Sequence, residues 1–525
     1  MNSSKKHYWS SVLPCMASGI LCGTVTGAAI FLFKIAAKKA DQIAHRLYSL
    51  ASGSVLYLVL VFALLALFAW VMVQIHKKVP EAKGGGIPRS EGVVRGLLPL
   101  RWRPTLLGTV SGSLVSYLCG LPLGTEGPAV LIGTSLGSMC TGISKHPGAW
   151  ERYIMTGGAG AGFAVATGAP LSAVLFSLEE LQKRFSPLLL LSVSLSVTAA
   201  TYTNRLLCTA FDLDPALLHI PSLTGFGLQD MGYLLGLGLL TALAVGLFDK
   251  SIALCGQFTR RFKKRLTPSV KIFAVFAVTG LLGLVFPGGI YSGHDTILEA
   301  AEGHYSLALL IALLAVRLLM MLMVTDSGTT GGIFIPTLAI GAVAAAIIAR
   351  LLTAVGMDAA LFPAAVLLGM CAFIGGTLRA PLTAAVLFVE LTGQYTDLFY
   401  VAVVVFAASW LVQLLNLKPF YDQALENMEE QHNEGKTPVI CHFEARVSPN
   451  SFGAGKTVRE LLWPASTIIL SIIHSKDAPV IMDHDGEERL LPGDTLIFRS
   501  CSCCGEKVKQ ELTELLGNDV TQLAI

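Results

Sequence analysis

At 525 residues, with 53% hydrophobic and only 14% charged positions and a mean hydropathy of +0.64, the chain lies outside the range of soluble proteins, in which about a quarter of residues are charged. It reads as an integral membrane protein, and its net charge of +3 is too small to argue for nucleic acid as a partner. From the N-terminus, the apolar stretch 12–33 is long for the core of a cleavable signal peptide and has no convincing cleavage site, so no such peptide is expected. Runs that reach the roughly 18 residues needed to cross a bilayer lie at 55–73 and 307–324 and, with flanking residues, at 233–247, 272–285 and 400–415. Segments such as 108–118 and 130–140 are too short to cross alone, and broken helices are tolerated in lipid only where protein or a water-filled cavity covers their ends. Basic residues crowd 77–103 (Lys77, Lys78, Lys83, Arg89, Arg95, Arg101, Arg103) and 250–265 (Lys250, Arg260, Arg261, Lys263, Lys264, Arg265). Both loops, and the N-terminus with Lys5 and Lys6, are therefore expected in the cytoplasm; Lys34, Lys38, Lys39 and Arg46, in an expected first outer loop, pull the other way.

The apolar part is written twice. APLSAVLFSLE (169–179) recurs as APLTAAVLFVE (380–390), and GTEGPAVLIG (124–133) precedes the first copy much as GGIFIPTLAIG (331–341) precedes the second. Duplication of Gly/Pro-interrupted apolar segments points to a secondary transporter or a related pore, with its site at the repeat interface near the bilayer midplane. Within the first copy, Glu126 stands alone in GTEGP, before an apolar helix. An ionisable group at that depth is a candidate for function. Helix N-termini bind anions, so a carboxylate there can fill the anion position or, once protonated, yield it; Gly124 and Gly127 open the backbone for close approach. GGGIP (84–88) and GIFIP (332–336) share the design, small residues and then a proline that starts a helix. Three such N-termini would converge on a dehydrated anion.

The acids after the first repeat segment, Glu179 and Glu180, read from the residues alone as groups meeting solvent or pairing with Lys183 and Arg184, and Glu390 as structural. Tyr421 reads as an interfacial aromatic. An intramembrane enzyme is disfavoured: the 11 His lie nearly all in loops or in the C-terminal part, there is no HExxH pair, and no Ser or Cys has a visible base. The 11 Cys are scattered except for Cys501, Cys503 and Cys504. A metal would need a second ligand pair, for which Cys441 and His442 are the only nearby candidates, so reduced thiols are expected, with no metal and no cofactor.

The ordered motifs GGGIP, GTEGP and GIFIP resemble the GSGIP, GREGP and GIFAP of the CLC chloride channels and proton-coupled chloride transporters, over about residues 10–425. The resemblance implies an all-α inverted-repeat helical bundle in a bacterial-type plasma membrane, working as a homodimer with one pathway per subunit. It implies that Glu126 is the gating glutamate that carries the outer proton, that Glu180 is the inner proton-transfer residue, and that Tyr421 and the backbone amides of Ile333 and Phe334 bind the central anion. The sequence departs from the family pattern at three positions. Gly85 replaces a serine whose hydroxyl contacts the anion, which opens the choice between chloride and nitrate; Thr125 replaces an arginine near the outer site; and Arg89 stands where an acid is common. The expected function is exchange of chloride, or a related small anion, for protons, the alternative being a passive gated chloride channel of the same fold.

Hydrophobicity stops after Leu417. We divide the chain into a transmembrane anion-transport domain (1–426), a polar linker (427–438) and a soluble α+β domain (439–525). In the last, 439–447, 467–474, 478–482 and 495–499 have strand patterns and 506–516 helical spacing, with turn signals at 449–450, 485–486 and 492–494. The stretch 457–498, with its PGDTL turn, resembles the TrkA-C (RCK C-terminal) domains of potassium transport regulators. That resemblance implies a cytoplasmic domain that senses an unidentified small ligand or stabilises a dimer.

Overall fold

A computed structural model describes residues 3–51, 53–144, 148–214, 220, 223–261, 266–474, 480–481 and 486–523. Lys263, Lys264 and Arg265 of the second basic segment, much of the predicted strand 478–482 and Asp485 of its turn lie outside the described residues. The first half of the membrane part comprises α1 (Ser3–Ala51), α2 (Val55–Lys78), α3 (Ile87–Val94), α4 (Trp102–Leu118), α5 (Glu126–Ser144), α6 (Glu151–Thr167), α7 (Pro170–Phe176) and α8 (Pro187–Ala210). The second repeats it with α9 (Met231–Arg261), α10 (Pro268–Val285), α11 (His294–Ala301), α12 (Leu307–Ser327), α13 (Phe334–Ala354), α14 (Phe362–Leu378), α15 (Pro381–Thr392) and α16 (Leu398–Leu414). Packing inside the halves corresponds, α5 on α6 as α13 on α14 and α1 on α8 as α9 on α16, while α2 with α10 and α7 with α15 join the halves. Among the described residues eight helices are long and apolar enough to cross a membrane; 22% of the apolar stretch of α2 is buried against 78% in α13 and in α14, so α13 and α14 form the centre of the bundle.

Lys34, Lys38, Lys39 and Arg46, expected in an outer loop, are all inside the continuous helix α1. Lys34 turns into the bundle and donates to Val165 O at 3.1 Å, so it is not a loop charge that opposes the cytoplasmic placement of the basic segments. Small residues let backbones meet, as is usual where lipid supplies no hydrophobic drive between helices: α5 and α6 touch where a Cβ on Gly133 would stand 2.0 Å from Gly158 O.

The repeated segments cap one another. α7 and α15 each begin at a proline, and the unbonded amides of a helix start find no water at membrane depth. The Glu390 carboxylate accepts from Leu171 N, Ser172 N and Ser172 Oγ, each at 2.8 Å. Glu179 accepts from Leu382 N at 3.1 Å and from Thr383 N and Oγ1 at 2.8 Å. Half-buried Glu179 therefore pairs not with Lys183 but with the opposite repeat, where it closes the first turn of α15. The copies also differ. α15 is a regular helix through Thr392, whereas α7 widens into a π turn over Ser177–Leu181.

After α16 comes α17 (Phe420–His432), which continues through the first residues of the predicted linker and leaves 433–438 as the connection. Its polar residues are the outer face of a helix that buries Phe420, Tyr421 and Leu425. Beyond lie β1 (Val439–Arg446), β2 (Thr467–Ile473), β3 (Val480–Ile481), β4 (Thr495–Ser502), α18 (Gly505–Leu516) and β5 (Val520–Leu523). They form an antiparallel five-stranded sheet in the order β3-β2-β4-β1-β5. β5 is too short and polar to read from the sequence.

This small domain docks on the start of α6. Trp150 meets Phe452 edge-on at 4.3 Å, and Lys456, fully buried, lies 4.0 Å from the Phe452 ring and 5.8 Å from that of Trp150. Burial pushes the Lys456 ammonium down to about 8 from the ordinary 10.5. Between those values the docked form binds fewer protons than the undocked one, so docking strengthens as pH rises through that window and is constant below it. At about 1.4 kcal/mol per pH unit the gain is at most roughly 3 kcal/mol, reached where undocking exposes Lys456 fully. Limited proteolysis of 433–438 at pH 7.5 and 9.5 (values about 2 units apart, chosen to bracket the lowered pKa) is expected to show more protection at the higher pH, and Lys456→Met is expected to abolish the difference; an unchanged pH response in that variant would refute the assignment.

Candidate functional site

GGGIP leads into α3, GTEGP into α5 and GIFIP into α13. The first amides of each helix have no partner within it and carry its positive partial charge, so bringing the loops together makes an anion seat. Backbone contacts do this. Gly124 N donates to Gly332 O at 2.7 Å and Gly332 N to Gly124 O at 2.8 Å, an antiparallel bridge between equivalent loops, as expected of copies related by a two-fold axis in the membrane plane. Gly84 N donates to Gly328 O at 2.9 Å. Gly127 presses on the first loop: its Cβ would lie 1.8 Å from Gly85 O. Gly86, at φ 82, is a glycine for two reasons, a left-handed backbone and a Cβ position 2.3 Å from Gly127 O.

Glu126, fully buried, is the first residue of α5. Its Oε1 accepts from Thr125 Oγ1 at 3.0 Å, and its Oε2 is buried with no hydrogen-bond partner. The carboxylate folds back over the loop, so that a Cβ on Gly124 would lie 2.3 Å from Oε2. The backbone amides of Thr125 and Glu126 face the carboxylate, and Lys34 is the positive charge acting on it. The carboxylate thus occupies the position an anion would take at that helix start. Thr125, in place of the family's arginine, keeps a donor to Glu126 but brings no charge. Tyr117, which sequence reasoning missed, donates to Gly124 O at 2.7 Å and braces the loop; an aromatic inside an apolar run carries no signal for that.

At the third loop, Ile333 caps α13 and Phe334 begins it, both buried, and Ile333 Cγ1 lies 3.1 Å from where a Cβ on Gly85 would be. α17 packs on α3 and α14. It seats Tyr421, 1% exposed, within the electrostatic reach of Glu180, Glu126 and Glu91. Gly85, Gly124, Glu126, Gly127, Ile333, Phe334 and Tyr421 are thus drawn into one region by α3, α5, α13 and α17.

Glu180 sits in the π turn, 1% exposed, with Oε1 unpartnered. π turns are concentrated at functional sites. The charges around it are Glu91, Lys183, Asp422 and Glu179. Lys183 lies 3.2 Å from Glu91 Oε1 and also pairs with Asp422, while Arg95 holds Glu91 at 2.7 Å. This cluster joins α3, the π turn and α17, and sequence reading missed it; the i,i+4 pair Glu91 and Arg95 was the available signal. Arg89, in the basic segment expected in the cytoplasm, donates to Pro99 O at 2.9 Å.

An inverted helical repeat whose broken helices gather their N-termini beneath a buried carboxylate defines a membrane anion-transport protein. The profile of the Voltage gated chloride channel family matches residues 65–413. The chain belongs to that family, the CLC proteins. It is 30% identical over 426 residues to the H(+)/Cl(-) exchange transporter ClcA of Citrobacter koseri, covering 79% of this chain and 88% of that protein, and equally to that of Salmonella arizonae. A slow cyanobacterial Cl−/H+ antiporter has the same fold, with TM-score 0.72 and 28% identity over 80% of this chain and 99% of that one. A CLC-type fluoride/proton antiporter shares the fold alone, with TM-score 0.61 and 19% identity over 76% and 95% of the two chains.

Proposed function

We propose that the protein exchanges chloride, or a related small anion such as nitrate, for protons across a bacterial-type plasma membrane, with no enzymatic step. The observation that carries this reading is the burial of two carboxylates, Glu126 and Glu180, whose charges both act on buried Tyr421. Glu126 competes with the anion for the α5 N-terminus and carries the outer proton; Glu180 carries the inner one. Ile333 and Phe334 amides, Tyr421 and the glycine loops at Gly85, Gly124 and Gly127 hold the dehydrated ion. A flux assay in liposomes that reads anion and pH together tests the exchange against passive conduction.

Selectivity follows from the first loop. A Cβ on Gly85 would be crowded by the side chain of Ile333, at 3.1 and 3.3 Å, with Gly331 O in ordinary contact at 3.9 Å; the Ile333 side chain can move aside, so Gly85→Ser fits with a small adjustment. The added donor to a desolvated ion is worth about 1.5–3 kcal/mol, and we expect it to raise transport of chloride relative to nitrate by roughly tenfold or more. An anion preference left unchanged by the substitution would mean that Tyr421 and the backbone amides suffice.

The protein works as a homodimer embedded in lipid. Supporting this, the cross-capped pair α7 and α15 turns Leu171 and Leu382, 60% and 40% exposed, outward from the bundle, a symmetric apolar face for a second copy. The domain 439–525 is cytoplasmic and of the TrkA-C kind, on the side of the basic loops. A cleft of about 500 Å³ between it and α17, lined by His432, Lys436, Cys501, Cys504, Lys507 and Glu511 among others, is where a small cytosolic ligand would act on the helix that carries Tyr421.

A further inference from the structure

A closed ring of hydrogen bonds links the soluble domain to the turn that carries Glu180. Arg152, near the start of α6, donates from Nη1 to Leu462 O at 3.2 Å and Trp463 O at 2.9 Å, and from Nε to Val94 O at 2.8 Å. Val94 O also accepts from Gln182 Nε2 at 3.1 Å, and Gln182 is two residues beyond Glu180. The same amide donates to Thr156 Oγ1 at 2.7 Å, and that hydroxyl donates to Arg152 O at 2.6 Å. Tyr153, fully buried, donates to Glu460 O at 2.6 Å and accepts from Leu462 N at 3.1 Å. Just beyond Gln182, Arg184 donates to Leu461 O at 3.3 Å, Ser186 to Glu460 O at 3.4 Å and Arg459 Nε to Phe185 O at 3.4 Å. Residues 459–463 of the soluble domain therefore grip the start of α6 and the chain just after Glu180.

That turn needs holding. A π turn is a rare helical form, and Lys183 just after it has φ 52, a left-handed conformation unfavourable for a residue with a Cβ. Such backbone persists only where the surroundings over-determine it. Among the described residues the equivalent stretch of the second repeat is not gripped in this way, and it stays a regular helix with Leu391 in the place of Glu180.

We infer that the soluble domain positions Glu180: the main chain of 460–463, acting through Arg152, Tyr153 and Gln182, fixes the π turn that aims the carboxyl into the protein. Docking of the domain thereby sets proton delivery, while the three glycine loops of the anion seat, which bond to no residue of the domain among the described residues, are left as they are. Arg152, Tyr153 and Gln182 are positioning residues. The inference rests on the reading of Glu180 as the inner proton residue.

The test is simultaneous anion and proton flux through the full-length protein in liposomes, for wild type, Arg152→Gln, Tyr153→Phe, Gln182→Leu and, as a reference, Glu180→Gln. The expected result is a several-fold rise in anions moved per proton in Arg152→Gln and Gln182→Leu, and a smaller rise in Tyr153→Phe, with anion flux near the wild-type rate. A merely structural role would lower both fluxes together and leave their ratio alone, so a wild-type ratio in Gln182→Leu and Tyr153→Phe overturns the inference even if Arg152→Gln fails to fold. Should Glu180→Gln itself keep the wild-type ratio, the reading of Glu180 fails and the inference with it. Loss of coupling in Glu180→Gln with wild-type ratios in the positioning variants sinks the inference alone.

Discussion

Glu126→Ala is expected to abolish proton movement driven by a chloride gradient while anion movement continues. The carboxylate is fully buried at the start of α5, where the amides of Thr125 and Glu126 face it. Removing it leaves those amides to the anion and takes away the group that carries the proton. Glu126→Gln is expected to uncouple as well, since the amide cannot exchange a proton at that position. Uphill proton movement persisting in the alanine variant would contradict the role given to Glu126.

The second large effect is expected from Gly127→Ala. The new Cβ would stand 1.8 Å from Gly85 O and 2.9 Å from Gly332 Cα, which are backbone atoms that no rotamer change can clear. The α3, α5 and α13 N-termini would have to separate, and the anion seat with them. We expect destabilisation of about 3 kcal/mol, the upper range of overpacking, with loss of most anion transport, read from thermal unfolding and flux on one preparation. Gly142→Ala in the same helix is the control. Nothing lies within 4 Å of its Cβ, and alanine is the better helix former by about 1 kcal/mol. Equal behaviour of the two variants would remove the argument that glycine contacts build the seat.

The duplication, the short helices and the three loops could be read in the sequence because each is local: a Gly-rich run ahead of a proline marks a helix start wherever it lies. The reciprocal caps could not. Glu179 and Glu390 serve amides in the opposite repeat, and nothing near an acid in the sequence says which distant helix end it will meet. The π turn was hidden too, since apolar spacing does not tell i→i+5 from i→i+4 bonding over a single turn, and it is this turn that separates the capping Glu179 from the buried Glu180. α17 was cut short for a different reason. Its outer face is polar, and a polar run after the last apolar segment looks like a linker although Tyr421 and Leu425 anchor it. The same bias hid Glu91, Lys183 and Asp422, whose residue types suggest a solvated surface but which meet beside the buried Glu180.

The most direct test of the exchange reading is made on the wild-type protein in sealed liposomes, with a chloride gradient imposed and the internal pH followed. If Glu126 and Glu180 carry protons against the anion, chloride leaving the vesicles drives protons inward against their own gradient, and the stoichiometry stays fixed as the gradients are varied. Chloride flux with no uphill proton movement under any gradient would instead identify a passive channel built on the same fold.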